Sequence, residues 1–149
     1  MRQIEKILFP IDFSEKFESL LPWVHTFVDK FEATLYVLFV AQDLSEFSAF
    51  HVPHGSIQSF QEETLAAAKK KMTAVAKGTL SKFPKLETRV SVGPAGDKIL
   101  ETVKSEGIDL IIMGTHGRKG LERTIYGSVA EKVVQNAPCP VVTIRPGTS

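Results

Sequence analysis

The sequence predicts an α/β protein with a doubly wound open sheet of five parallel strands and helices on both faces. Short apolar segments alternate with segments of helical periodicity, in the order β-α-β-α-β-α-β-α-β. Four of the strands are almost continuously apolar, as is typical of strands covered on both faces, whereas Leu86–Val92 alternates as a half-exposed strand. Right-handed crossovers then wind the sheet in both directions. The 149 residues fit one domain that spans the whole chain, 1–149.

The first half of the chain predicts two strands and two helices. Lys6–Ile11 is a buried strand, and Ser14 is a candidate N-cap for the helix that follows. Pro22 lies inside that helix and should kink it or break it into two pieces. The β-branched and aromatic segment Thr34–Val40 predicts the second strand, and Ser56–Phe83 predicts a long helix after an irregular loop.

The second half predicts three strands and two helices. Gly107 is the expected C-cap of the first of these helices. The elements are Leu86–Val92, Asp97–Glu106, Asp109–Met113, Ser128–Gln135 and Val141–Ile144.

The composition excludes several classes of protein. A formal net charge of +1 gives no bulk attraction to nucleic acid or to an anionic membrane. The longest apolar run, Leu35–Ala41, has seven residues and is too short to span a bilayer. The N-terminal residues lack the apolar region of a signal peptide, and the single cysteine, Cys139, cannot form an internal disulfide. We therefore expect a cytoplasmic protein with neither a membrane nor a nucleic acid as its partner.

Two strand ends predict where a ligand would bind. In a doubly wound sheet, ligands bind beyond the carboxyl ends of the strands, where the strand order reverses. The first strand ends at Pro10-Ile11-Asp12 and the fourth at Met113-Gly114. If these two strands are neighbours, their terminal loops share one crevice.

The loop after the fourth strand has the chemistry of a polyphosphate site. Its glycines leave room for a ligand to approach backbone N–H groups. Gly127-Ser128 opens a helix, where free N–H groups and the helix dipole favour phosphate oxygens, and Ser128 adds a hydroxyl donor. Nearby positive charge comes from Arg118, Lys119 and Arg123.

Spacing alone leaves other interpretations open. The glycines can be ordinary turn residues, and Ser128 with Glu131 matches a capping box that needs no ligand. The chain has neither the Walker P-loop pattern nor the dinucleotide Gly-x-Gly-x-x-Gly pattern at its first strand-to-helix turn.

The spacing Gly114-x2-Gly117-x9-Gly127-Ser128 resembles the nucleotide-binding motif of the universal stress protein family. The resemblance extends from the segment Lys6–Ser14 to Pro138–Val142, which is essentially the whole chain. It implies the branch of the family that binds ATP, a strand order of 3-2-1-4-5, and a homodimer through the edge strand Val141–Ile144.

The resemblance also implies a role for individual residues. Main-chain groups of the three motif glycines, together with Ser128, would hold the phosphates of ATP, ADP or AMP, with Mg²⁺ as an accompanying ion. The Asp12 carboxylate would accept hydrogen bonds from the ribose hydroxyls, and backbone atoms of Val40, after the second strand, would bind the adenine edge. The full set of implied nucleotide-binding residues is Pro10, Ile11, Asp12, Val40, Met113, Gly114, Gly117, Arg118, Gly127, Ser128 and Val129.

Several side chains have a plainer interpretation as well. Asp12 can cap the following helix, and His116 can be a solvated loop residue instead of an anion donor. The Lys69–Lys71 run is typical of a solvated helix face. His51 and His54 lack the neighbouring ligands of a metal site. Cys139, between two prolines, is expected to be buried and unreactive.

Three functions follow from these residues. The favoured one is a signalling or stress-response protein that binds an adenine nucleotide and has little chemistry of its own. A slow ATPase is the second, although the sequence offers no convincing general base. The third is a nucleotide-free interaction protein of the same fold, which the intact glycine motif disfavours.

Overall fold

A computed structural model describes residues 1–13, 15–41, 54–115 and 125–145. These residues form one five-stranded sheet in the order β3-β2-β1-β4-β5, and all four strand pairs are parallel. The predicted fold class and strand order are therefore confirmed. The elements are β1 (Lys6–Ile11), α1 (Glu15–Phe31), β2 (Thr34–Ala41), α2 (His54–Lys77), β3 (Leu86–Val92), α3 (Ala95–Glu106), β4 (Leu110–Gly114), α4 (Ile125–Asn136) and β5 (Val141–Ile144).

The central strand β1 pairs unequally with its two neighbours. Its ladder with β2 runs the full length of the strand, from Lys6 opposite Thr34 to Ile11 opposite Phe39. Its ladder with β4 pairs Ile7 with Leu110 and Leu8 with Ile111, near the amino end. The strand order reverses at this β1–β4 boundary.

Successive strand residues supply two separate cores, because side chains alternate between the faces of a sheet. Ile7 and Phe9 pack with side chains of α1 and α2, whereas Leu8 packs with side chains of α3 and α4. All three are fully buried. The helices therefore cover opposite faces in pairs, which makes the fold doubly wound.

The prediction that Pro22 could divide the first helix is wrong. The helix α1 is continuous from Glu15 to Phe31 with Pro22 inside it. Pro22 lies on the exposed side, while Leu20 and Val24 are buried against the sheet. Packing of the apolar face offsets the one backbone hydrogen bond that proline cannot make.

The second helix ends earlier than its periodicity predicts. The helix α2 stops at Lys77, and residues 78–83 form turns in which Ser81 N–H donates to the Gly78 carbonyl at 3.1 Å. Leu80 and Phe83 are nonetheless buried, at 0% and 4% exposure. Their burial explains why the apolar pattern continues beyond the helix.

The remaining boundaries differ by a few residues. The helix α3 begins at Ala95 instead of Asp97, and it ends as predicted at Gly107, whose φ of 67° is left-handed. The helix α4 begins at Ile125, three residues before the predicted start at Ser128. Across the described residues, no helix is both long enough and apolar enough to cross a membrane.

Candidate functional site

The carboxyl ends of β1 and β4 lie side by side, as the sequence predicts. The register pairs Ile7 with Leu110, so Ile11 and Gly114, four residues further along each strand, end at the same level. From β1 the chain continues to α1 on one face, whereas α4 packs on the other. Doubly wound sheets bind their ligands where the strand order reverses, in the space between the two strand ends, which we call the crevice.

Asp12 lies at one side of this crevice, directly after the last residue of β1. The residue is half-buried, and its Oδ2 atom is buried. A carboxylate in this place can accept hydrogen bonds from the hydroxyl groups of a ligand. Ser14, the other proposed cap of α1, lies outside the described residues.

Three predicted site residues belong to one apolar cluster. Met113 is buried, at 5% exposure, and the half-buried Val40 and Val129 pack against the same cluster on the α3/α4 face. Val40 lies inside β2 opposite Ser91, not after the strand as predicted. These side chains share one apolar cluster, and apolar side chains predominate in the lining of ligand sites.

Two further predicted residues, Pro10 and Ile11, are part of β1 itself. The Ile11 side chain belongs to the core on the α1/α2 face, opposite to Met113. Ile11 can therefore offer the α3/α4 side of the crevice only its backbone, while Pro10 is half-buried within the strand.

The phosphate side of the predicted site is described at its two ends. Gly114 is the last residue of β4 and pairs with Ile144, and the next backbone N–H, of Thr115, donates to the Ile144 carbonyl at 2.9 Å. The structure then resumes with α4, whose first turn includes Gly127. The intervening predicted residues, His116, Gly117, Arg118, Lys119 and Arg123, lie outside the described part of the chain.

The capping-box interpretation of Ser128 is wrong. Ser128 is the fourth residue of α4, so it cannot be the N-cap, and it is exposed. Glu131 instead accepts a hydrogen bond from the Gln135 side chain at 3.3 Å. The N–H groups in the first turn of a helix have no acceptor inside the helix. In α4 that turn includes Gly127, which has no side chain to obstruct them.

The β3–α3 connection is hydrogen-bonded to the end of β2. Gly93 N–H donates to the carbonyl of Ala41, the last residue of β2, at 3.0 Å. The φ of Gly93 is 143°, and a Cβ there would lie 2.7 Å from Cε of Lys98. Glycine is favoured here by the backbone angle, whereas the flexible Lys98 side chain could move away from a Cβ.

Sequence reasoning missed an aromatic pair beside Asp12. The Phe13 and Phe39 ring centroids are 4.2 Å apart, and Lys71 Nζ lies 5.1 Å from the Phe13 centroid. All three lysines of the Lys69–Lys71 run are exposed, as predicted for a solvated helix face. Contacts between side chains of β2, α2 and the end of β1 leave no periodic signal in the sequence.

Two further expectations concern metal ligands and the single cysteine. The described residues contain no group of three His, Cys, Asp or Glu side chains able to hold a metal ion. His51 lies outside the described residues. Cys139 is half-buried, not fully buried as expected, and burial raises the pKa of its thiol.

Comparisons with known proteins agree with this architecture. The universal stress protein family model matches residues 3–145. Universal stress protein MJ0531 of Methanocaldococcus jannaschii is 31% identical over 141 residues, covering 95% of this chain and 82% of that protein. The solved structure of MJ0577, from the same organism, has a TM-score of 0.80 at 28% identity and covers 99% of this chain and 100% of that one. A universal stress protein from Archaeoglobus fulgidus, solved in complex with dAMP, has a TM-score of 0.65 at 18% identity. The match covers 97% of this chain and 100% of that one, and it shows a likeness of fold alone.

Proposed function

The chain belongs to the universal stress protein family, and we propose that it binds ATP in the crevice between β1 and β4. The proposal depends on three chemically different groups that belong to elements at the carboxyl end of β1 and β4. These are the Asp12 carboxylate, the apolar surface around Met113, and the N-terminal turn of α4. A hydroxyl acceptor, a base-binding surface and an anion-binding turn are together the requirements of a nucleotide.

Each part of the nucleotide has a counterpart in this arrangement. Adenine would lie against Val40, Met113 and Val129, with backbone atoms of Val40 at its edge. The ribose hydroxyls would donate to Asp12. Main-chain N–H groups of Gly114, Gly117 and Gly127, together with the Ser128 hydroxyl and Arg118, would hold the phosphates, and Mg²⁺ would bind chiefly through the phosphate oxygens. The glycine spacing of the motif supports this assignment.

Binding is favoured over catalysis by the scarcity of acid–base groups. Among the described crevice residues, 10–13, 113–115 and 125–129, Asp12 is the only carboxylate, and there is no histidine. Hydrolysis needs a positioned water as well as charge stabilisation. We therefore propose that the chain is a cytoplasmic stress-response protein whose output is nucleotide occupancy rather than turnover, and slow hydrolysis is the alternative.

The nucleotide carried through purification tests the proposal. Protein purified without added nucleotide and then denatured should release ATP, ADP or AMP, identified by chromatography. Stripped protein should regain a higher melting temperature when ATP and Mg²⁺ are added, because a ligand of the folded state stabilises it. No released nucleotide, together with no thermal shift at millimolar ATP, would reject the proposal. Incubation with radiolabelled ATP then separates binding from slow hydrolysis.

Assembly forms a second part of the proposal. The strand β5 is at an edge of the sheet, and Val141 and Val142 are half-buried there. An apolar edge strand is a pairing liability unless it is covered. We propose that β5 pairs with its copy in a second subunit, giving a homodimer with two-fold symmetry.

A further inference from the structure

The residue after Asp12 has an uncommon backbone conformation. Phe13 has a φ of 61°, in the left-handed region where Cβ crowds the backbone of residues other than glycine. Glu32 is the one other described non-glycine residue with positive φ, at 51°. Glu32 follows the last residue of α1, where a left-handed residue commonly ends a helix. Phe13 instead follows a strand, so a helix end does not explain its conformation.

Contacts of the Phe13 ring hold this conformation in place. The ring packs against Phe39 of β2, with the centroids 4.2 Å apart and the planes inclined at 37°. The ammonium of Lys71, from α2, lies 5.1 Å from the same ring, within the range of a cation–π interaction. Both contacts fix the ring to elements outside the β1–α1 connection, and their attraction offsets the unfavourable backbone angle.

We propose that Phe13 is a positioning residue that holds the Asp12 carboxylate toward the ribose. On its amino side, Asp12 is fixed by β1, whose ladder with β2 extends to Ile11. On its other side, the chain direction depends on the dihedral angles of Phe13. Because α1 is anchored in the core, a different φ at Phe13 has to be absorbed at Asp12, and this would move its carboxylate, including the buried Oδ2. Backbone strain that the surrounding structure maintains is concentrated at functional sites. This inference rests on the proposed function.

Affinity for ATP and for 2′,3′-dideoxy-ATP, which lacks both ribose hydroxyls, tests the role of Phe13. The unaltered protein should prefer ATP by about tenfold, as expected for hydrogen bonds to a charged acceptor. Asp12→Ala should abolish that preference. Phe13→Ile should reduce it toward one, because a β-branched residue disfavours left-handed φ. Phe13→Gly, which accepts that φ, should keep more of the preference than Phe13→Ile.

Glu32→Ile is the matched control, because it places the same side chain at a second residue with positive φ. Glu32 precedes β2, at the end of the sheet opposite to Asp12. Glu32→Ile should lower the melting temperature without changing the ratio of the two affinities. If Phe13→Ile does not fold, Phe13→Ala replaces it in the comparison with Phe13→Gly, because both lack the ring and differ by one methyl group. Alanine should then retain less of the preference.

The outcomes separate this inference from the proposed function. If the unaltered protein binds no ATP, the proposed function fails, and the role of Phe13 fails with it. If it binds ATP and dideoxy-ATP equally, the ribose contact is absent and Phe13 positions nothing. If the preference for ATP is the same in the unaltered protein and in the folded Phe13 variants, only the role of Phe13 is rejected.

Discussion

Lys6 and Asp109 exchange two hydrogen bonds where β1 and β4 begin. The Asp109 N–H donates to the Lys6 carbonyl at 2.9 Å, and the Lys6 N–H donates to Oδ2 of Asp109 at 3.0 Å. The same oxygen accepts the Glu5 N–H at 2.9 Å. The Asp109 carboxylate thus joins the two strands at their amino ends, opposite the crevice.

Replacing Asp109 should destabilise the fold without altering the site. Asp109→Ala leaves two backbone N–H groups without this acceptor and should lower the free energy of unfolding by about 1–3 kcal/mol. Asp109→Asn, which keeps one acceptor oxygen, should cost less. Urea denaturation measures both effects. ATP affinity of the folded variants should equal that of the unaltered protein, and a large loss would mean that the two edges are coupled.

The Cys139 thiol should be a slow nucleophile. Burial, and secondarily the negative charge of Asp109, raise the pKa of this thiol, so less thiolate is present at neutral pH. Alkylation by iodoacetamide at pH 8 should be slower in folded protein than in urea. Asp109→Asn should accelerate it in the folded state by removing the charge, and equal rates in folded and unfolded protein would contradict the shift.

The same raised pKa has a consequence for stability. Because the folded state favours the protonated thiol, its stabilising contribution is complete below the pKa of the unfolded thiol, about 8.5. That contribution is lost as the pH rises through the higher pKa of the folded state. Cys139→Ser should therefore reduce the fall in melting temperature at alkaline pH. An unchanged dependence of melting temperature on pH would argue against a contribution from the thiol.

Gly127 should be essential for ATP binding. A valine in the first turn of α4 would place a branched side chain where the phosphates approach the backbone, so Gly127→Val should abolish measurable ATP binding by calorimetry. Gly55→Val is the control, since Gly55 is also in the first turn of a helix, α2, and a Cβ there meets nothing within 4 Å. Gly55→Val should bind ATP normally. Retained ATP affinity in Gly127→Val would show that the phosphates lie elsewhere.

Proline substitutions on the two edge strands test the dimer. Each residue of a parallel strand directs its N–H and its carbonyl to the same side of the strand, and the next residue directs both to the other side. Ile144 faces β4 through its carbonyl, so Thr143 faces outward, and its side chain is exposed. Thr143→Pro should remove one outward N–H and give monomers by light scattering. Thr88→Pro makes the equivalent change on the outer edge of β3 and should leave the dimer intact. If the unaltered protein is a monomer by light scattering, the proposed homodimer is rejected.

Much of the fold could be predicted because its strands are short, apolar and separated by amphipathic helices. Boundaries were less predictable, since burial and helicity are different properties. Leu80 and Phe83 are buried but lie in turns, and the apolar pattern extended α2 through them. Pro22 illustrates the reverse case, because tertiary packing maintains a helix that local preference would interrupt.

The candidate site was predictable where a residue type has one dominant use. Asp12 at a strand end and glycines before a helix are such residues. The positive φ of Phe13 could not be predicted, since phenylalanine has no preference for it and its stabilising contacts, with Phe39 and Lys71, come from distant parts of the chain.

The unequal pairing of β1 has a consequence for exchange of backbone amide protons. The β1–β4 ladder pairs residues near the amino end, from Ile7 to Leu8, while the carboxyl ends of these strands flank the crevice. A nucleotide bound there would join two strands at the end distant from their ladder. Local opening at that boundary would then require release of the ligand. The amide of Gly114, which faces β1, should gain protection in deuterium oxide when ATP is added, whereas those of the β2–β3 ladder should exchange as before.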